Sequence, residues 1–163
     1  MALPGIYAAA SLLASIVPDQ IQPAGIDLRI GEIHVLQEHG FLGVRERRIP
    51  TSKPLEPEGG KWLLKPGYYK IVFMDAIAIP SNAVGMCFPR SSLLRMGVML
   101  GCAVWDPGYR GRGEALLIVG NPHGVEIEVG ARVAQLVFIR VYPQLGERYS
   151  GIYQGERLAG EKI

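Results

Sequence analysis

Four short segments carry residue types that could do chemistry. Trp105-Asp106-Pro107-Gly108-Tyr109-Arg110-Gly111 places a carboxylate at the head of a tight-turn signature, Asp-Pro-Gly, with a tyrosine directly after it. An acid held rigidly at such a bend, beside an aromatic face, can orient and deprotonate a water. A neighbouring phenol ring can stack on a sugar and exclude a bulkier one. An ordinary β-turn whose aspartate bonds its own backbone would use the same residues. Pro89-Arg90-Ser91-Ser92-Leu93-Leu94-Arg95-Met96-Gly97 reads as one helical turn, capped by Ser91 or Ser92, ended by Gly97 and anchored in the core by Leu93 and Leu94. Its free N–H groups, two hydroxyls and the forks of Arg90 and Arg95 would suit an anion. A capped surface turn with two solvated arginines is the plainer alternative.

The third segment, Gly130-Ala131-Arg132-Val133-Ala134-Gln135-Leu136, sets Arg132 and Gln135 into an otherwise apolar run. Period-two alternation sends them to opposite faces, so at most one would meet a ligand and the other would sit at a subunit contact. A partly exposed edge strand fits equally well. The fourth, Arg148-Tyr149-Ser150-Gly151-Ile152-Tyr153-Gln154-Gly155-Glu156-Arg157, mixes glycine, aromatics and arginine without an apolar period. Such a terminus can close over a bound phosphate chain as a lid, or simply fray. His34, His39 and His123 form no metal-ligand spacing, and Cys87 and Cys102 do not complete one, so no protein-held metal site is expected.

The elements that must position these residues follow from the punctuation. The 163 residues suit a single domain, 1–163, and the 21 glycines and 12 prolines favour many short strands joined by turns over a helix bundle. Ile26-Asp27-Leu28-Arg29-Ile30 alternates, with Asp27 and Arg29 on the polar side. Strand signals recur at residues 68–74, 76–79, 125–129 and 132–141. The three prolines between Pro50 and Gly60 forbid regular pairing there, and Arg45-Glu46-Arg47-Arg48 reads as a solvated hairpin tip. From Gly146 to the end the chain looks mobile until something orders it. The expected fold is all-β, a compact sandwich or barrel with a short N-terminal helix and one or two helical turns.

Composition narrows the functional classes. A net charge of +2 is too even for a nucleic-acid coat. The apolar run from Ala8 to Val17 has no Lys or Arg before it and stops at Pro18-Asp19, well short of a membrane span. It reads as a helix packed on the domain. Two cysteines are too few for a disulfide scaffold, which points to a reducing, cytoplasmic setting.

Taken together and in this order, Pro23-Ala24-Gly25-Ile26-Asp27-Leu28, Arg90-Ser91-Ser92, Trp105-Asp106-Pro107-Gly108-Tyr109-Arg110-Gly111 and Arg132-Val133-Ala134-Gln135-Leu136 resemble the dUTPase and dCTP deaminase superfamily. The resemblance runs from about Ile21 to Arg157. The N-terminal helix and the Tyr153-Gln154-Gly155 tail are most similar to the deaminase and archaeal dUTPase branch. It implies a distorted β-barrel or jelly-roll of the β-clip type. It also implies a homotrimer with sites at subunit interfaces, and Mg²⁺-dependent cleavage of dUTP to dUMP and pyrophosphate. By matching position, Asp106 would hold the attacking water and Tyr109 would lie under the deoxyribose. The hairpin backbone around Gly101 to Val104 would read the uracil edge. Arg90, Ser91, Ser92, Arg95 and Gln135 would meet the phosphates, joined by Tyr153, Gln154 and Arg157 from the tail, with Asp27 and Arg132 in support. Mg²⁺ would arrive mainly through the substrate phosphates, because it prefers phosphate oxygens and waters to an all-protein cage.

Deaminases of the superfamily need a glutamate in the strand after this turn. Counting forward from Asp106 gives Leu116 and counting back from Asn121 gives Ile118, neither of which transfers protons; Glu114 would need a further two-residue slip. The deaminase tail carries Lys and Gln where this chain has Ile152 and Glu156. Conversely, the serine pair at 91–92 is deaminase-like, and Ala103 replaces the usual hairpin glycine. The expectation is a dUTP diphosphatase. A dCTP deaminase, alone or bifunctional, and a non-catalytic trimeric module are the alternatives.

Overall fold

The computed structural model describes residues 1–13, 16–142, 146 and 148–158. The glycines and prolines cut the chain into short strands: β1 (Ile21–Gln22), β2 (Gly25–Leu36), β3 (Phe41–Leu42), β4 (Arg47–Arg48), β5 (Ser52–Pro54), β6 (Lys61–Leu64) and β7 (Gly67–Phe73). These are followed by β8 (Ile77–Ala78), β9 (Ala83–Pro89), β10 (Val98–Gly101), β11 (Arg110–Gly111), β12 (Glu114–Val119), β13 (Val125–Glu128) and β14 (Arg132–Arg140). Two short helices, α1 (Gly5–Ala8), which runs on as a 3₁₀ turn over Ala9–Ser11, and α2 (Ser91–Arg95), with a second 3₁₀ turn at Pro18–Gln20, complete the set.

The main sheet is antiparallel in the order β10-β12-β7-β2-β14-β9, with β1 and β5 also paired to β2. Beyond the end of β10, Trp105 exchanges backbone hydrogen bonds of 2.8 and 3.0 Å with Gly85 of β9. That exchange brings the two ends of the sheet together into a distorted, nearly closed barrel. Its interior is filled by fully buried side chains: Leu28, Ile30 and Ile33 of β2, Ile71 and Phe73 of β7, Leu117 of β12, and Leu136 and Phe138 of β14. No described helix is long and apolar enough to cross a membrane.

Several local expectations are corrected. The N-terminal helix stops at Ser11 and does not run to Val17, because Leu12 pairs with Ile77 and the Leu13 N–H donates to the Ala76 carbonyl at 2.9 Å. Ser52–Pro54 does pair, opposite His34–Leu36, because Pro54 ends an edge strand where a missing N–H costs no ladder bond. Asp27 is not on a solvated face: β2 is covered on both sides here and Asp27 is 1% exposed. β6 and β9 carry no alternation long enough to read in advance, Gly85 and Pro89 interrupting the latter.

The third segment differs most. The ladder between β14 and β2 slips by one residue between Arg132 and Ala134, so that Arg132 lies opposite Arg29 and Ala134 opposite Leu28. A bulge adds one residue and reverses the alternation beyond it. Val133 and Ala134 are consecutively buried, and Arg132 and Gln135 both come to the Asp27 side.

Candidate active site

The Asp-Pro-Gly segment forms a type II turn. Pro107 supplies the fixed φ of its second position and Gly108 the positive φ (+84°) of its third. The Tyr109 N–H donates to the Asp106 carbonyl at 3.1 Å. Bonds to two neighbours bracket the turn: the Trp105–Gly85 pair before it, and after it Gly108 N–H to the Ile79 carbonyl (3.1 Å) and Ile79 N–H to the Tyr109 carbonyl (2.8 Å). Asp106 itself is exposed, and no described residue bonds its carboxylate. The acid is held by its backbone and presented outward, not spent on its own turn.

Asp106 opens onto a cleft of about 220 Å³ that Val104, Tyr109, Glu114, Tyr149 and Tyr153 also line. The Tyr109 ring is buried and parallel to the Trp105 indole, with centroids 6.0 Å apart and planes 4° from parallel. Trp105 can lie flat there because residue 113 is glycine; a Cβ would stand 2.5 Å from the indole. The Tyr109 hydroxyl donates to Glu156 Oε1 at 2.5 Å. Burial, and then this carboxyl, push the phenol well above its ordinary pKa, so it remains a donor.

Glu114, two residues out of the register that a deaminase glutamate would need, nonetheless lines this cleft. It accepts from Arg157 at 2.5 Å and from Lys70 at 3.2 Å. Leu116 and Ile118 lie further along β12, opposite Gly101 and Met99. The available sequence signal was the Gly-Arg-Gly run before Glu114, which marks a crowded approach ahead of a strand.

A second cluster stands apart. Asp27, Arg90, Ser91, Arg95 and Gln135 line a separate cleft that shares no lining residue with the Asp106 cleft. Arg90 Nε lies 3.1 Å from the buried Asp27 carboxylate and Arg132 Nη1 3.4 Å from it. Burial raises the Asp27 carboxyl and the two guanidinium charges pull it back only in part. Arg90, not a serine, occupies the N-cap of α2 and no side chain caps the turn, which leaves both serine hydroxyls exposed. Leu94 does not reach the core; it is 59% exposed on the rim of the cleft, while Leu93 alone is buried. A five-residue helix offers one face to the core, and consecutive residues cannot both use it.

The tail lies against the Asp106 hairpin. Tyr149 N–H donates to the Pro107 carbonyl (2.8 Å), Gly155 N–H to Arg110 (2.8 Å) and Arg112 N–H to Glu156 (2.9 Å). Tyr153 lines the cleft. Gln154 instead clamps the hairpin, accepting from Arg110 N–H at 2.9 Å and donating to the Gly108 carbonyl at 3.0 Å. Arg157 lies between Glu114 and Glu32, and alone among the described non-glycine residues it has a positive φ (57°). Thus Asp106, Val104, Tyr109 and Tyr153 come together. Arg90, Ser91, Arg95 and Gln135 form their own group, Ser92 stands beside it, Asp27 and Arg132 support it, and Gln154 and Arg157 fasten the tail. Of the expected mobile tail, 146–163, residues 147 and 159–163 lie outside the described residues, as do 143–145 before it.

A near-closed barrel that presents one acid beside a buried aromatic platform, with a serine–arginine cluster elsewhere on its surface, has a known counterpart. The chain belongs to the dCTP deaminase-like family, whose pattern it matches over residues 7–141. It is 54% identical over 138 residues, 85% of this chain and 87% of the relative, to a probable deoxyuridine 5'-triphosphate nucleotidohydrolase of Aeropyrum pernix. It is 41% identical over 141 residues, 84% of this chain and 88% of the relative, to the deoxyuridine 5'-triphosphate nucleotidohydrolase of Methanocaldococcus jannaschii. Among solved structures it resembles the 2'-deoxycytidine 5'-triphosphate deaminase of Agrobacterium tumefaciens, with TM-score 0.62 and 21% identity over 83% of this chain and 46% of that one. It also resembles the EIAV dUTPase, with TM-score 0.51 and 15% identity over 85% of this chain and 90% of that one. The structural likenesses speak for the fold.

Proposed function

We propose that the chain is a dUTP diphosphatase, cleaving dUTP to dUMP and pyrophosphate. The observation that carries this is Asp106, a carboxylate that no described residue bonds, braced by β9 and Ile79 at the mouth of a cleft built on Tyr109. The names of the nucleotidohydrolase relatives support it over most of the chain. Asp106 orients a water and takes its proton as the oxygen attacks the α-phosphorus; pyrophosphate leaves with the electron pair of the broken P–O bond. Tyr109 bears the deoxyribose, and the backbone at Val104 meets the base.

Magnesium fits this arrangement as a companion of the substrate. The described residues hold no cluster of three or more acidic, His or Cys ligands. Phosphate oxygens with Asp106 nearby are a hard-oxygen donor set of the kind the ion prefers. When bound, it neutralises charge on the phosphate chain.

The separation of the two clefts supports a homotrimer with sites between subunits. In one chain the acid and the Arg90–Ser91–Gln135 group do not share a cavity, so a neighbour would bring its phosphate-binding group to this Asp106. The free thiols of Cys87 and Cys102 suit a cytoplasmic setting.

Glu114 favours a second reading, dCTP deamination, because it is a carboxylate in the same cleft. Its engagement by Arg157 and Lys70 argues against proton transfer. Purified protein incubated with Mg²⁺ and dUTP or dCTP separates the readings. dUMP and pyrophosphate from dUTP, with no ammonia from dCTP, is the expected result; brisk ammonia release would reverse the assignment. Sedimentation equilibrium should give three times the chain mass, and a monomer that hydrolyses dUTP would overturn the shared-site reading.

A further inference from the structure

One carboxyl of the Asp106 cleft has no task in the hydrolytic scheme. Glu156 belongs to the tail, is 7% exposed, and accepts the Tyr109 hydroxyl across 47 positions of sequence. Its backbone is already anchored without that side chain, through Arg112 N–H to the Glu156 carbonyl and Gly155 N–H to the Arg110 carbonyl. The carboxyl group therefore serves more than docking its own residue.

The ring it holds is gripped on three sides. Trp105 covers a face, Tyr149 meets it edge-on at 5.8 Å and 68°, and Glu156 holds the oxygen. Two of these three grips come from the tail. Room for them exists because residue 111 has no side chain: a Cβ there would stand 2.8 Å from Tyr109 Oη and 3.0 Å from Glu156 Cγ. Burial pushes the Glu156 carboxyl above its usual range; the Tyr109 hydroxyl pulls it down, the charge of Glu114 adds to the rise, and Arg157 and Lys70 oppose it. Such a site is costly to fill with an acid unless the acid has a partner to hold.

We infer that Glu156 is a positioning residue: through the Tyr109 hydroxyl it couples closure of residues 148–158 to the placement of the ring under the sugar. The inference rests on the reading of Tyr109 as the deoxyribose platform of a dUTP diphosphatase. Because Asp106 is braced by bonds to Gly85 and Ile79 that do not involve the tail, the coupling governs how tightly nucleotide is held more than how fast the bond breaks.

The test is a double-mutant cycle of Tyr109→Phe and Glu156→Ala, with Glu156→Gln as the conservative variant. Each is read by steady-state kinetics on dUTP and, independently of activity, by the rate of trypsin cleavage after Arg157. Each single change should raise KM about tenfold, as expected when a buried polar group loses its hydrogen-bond partner, with kcat changed less. Cleavage should quicken in both, the double variant should be no worse than either single one, and Glu156→Gln should recover most of the loss. Additive effects, or faster cleavage with KM unmoved, would overturn the inference and leave a merely structural contact. If the parent enzyme hydrolyses no dUTP, the functional reading falls by itself, and the cleavage cycle still decides whether ring and tail are coupled.

Discussion

The indole of Trp105 and the phenol of Tyr109 lie parallel with their centroids 6.0 Å apart, and Asp106 sits on the chain between them. The two rings are buried while the acid between them is exposed. The type II turn makes this possible, reversing the chain so that its aromatic members face inward together. Position and exposure of the acid are therefore consequences of the same packing that builds the sugar platform.

Asp106→Asn keeps the shape of the side chain and removes its capacity to take a proton. Turnover of dUTP should fall by about 10²–10⁴-fold, with nucleotide affinity and melting temperature close to the parent values. Measured kcat equal to the parent would mean that Asp106 has another role.

Ser91 and Asp27 should separate binding from folding, although they line one cleft. Ser91 is exposed, so Ser91→Ala should raise KM for dUTP several-fold without moving Tm. Asp27 is buried against Arg90 and Arg132, and Asp27→Asn should destabilise the protein on the order of 3 kcal/mol. Calorimetry on the two variants checks the contrast, and equal Tm values for both would defeat it.

Removing the chain from Gly146 onward takes away the tail's contacts with the hairpin, Tyr149 against the buried Tyr109 among them, but none of the fully buried apolar side chains. Catalytic efficiency should drop by more than an order of magnitude, while Tm falls by only about 5 °C. Collapse of the melting transition would show the tail to be part of the folding unit.

Tail docking should depend on pH from two sides. Glu156, facing Tyr109, Glu114, Arg157 and Lys70, has a raised pKa when docked, so its contribution is complete below the ordinary glutamate value and is lost as pH climbs through the raised one. Glu32 behaves oppositely. Burial lifts its carboxyl, but hydrogen bonds from His34 and Arg112 and the charges of Arg112 and Arg157 hold it below its ordinary value. The tail's share of this, the charge of Arg157 and the last of those causes, is present above the ordinary value and is lost as pH falls through the depressed one. Proteolytic protection of the tail should therefore peak in mild acid, and Glu156→Gln should abolish only the alkaline decline. A profile unchanged in that variant would rule Glu156 out as the group responsible.

How much could be read beforehand depended on how local the cause was. Pro107 and Gly108 dictate their turn through their own φ preferences, and the alternation of Val125–Glu128 needs only its own residues, so both were legible, as was the all-β character. The Asp106–Tyr109 pairing was legible for the same reason. The position of Gln135 was not: one bulge at Val133, set by how β14 meets β2, reversed the face that alternation assigns. Nor was the pairing of Ser52–Pro54, where an edge tolerated the prolines.

The sequence by itself determined the punctuation, the strand periodicity and the acid at its bend, because each follows from a residue's own backbone preferences or those of its immediate neighbours. Only the tertiary structure decided that Glu114 and Glu156 join Asp106 in one cleft, that Asp27 is buried beneath two arginines, and that the phosphate-binding candidates lie in a different cleft. Those facts rest on contacts between residues tens of positions apart, and they arise only once burial of the apolar faces has closed the barrel.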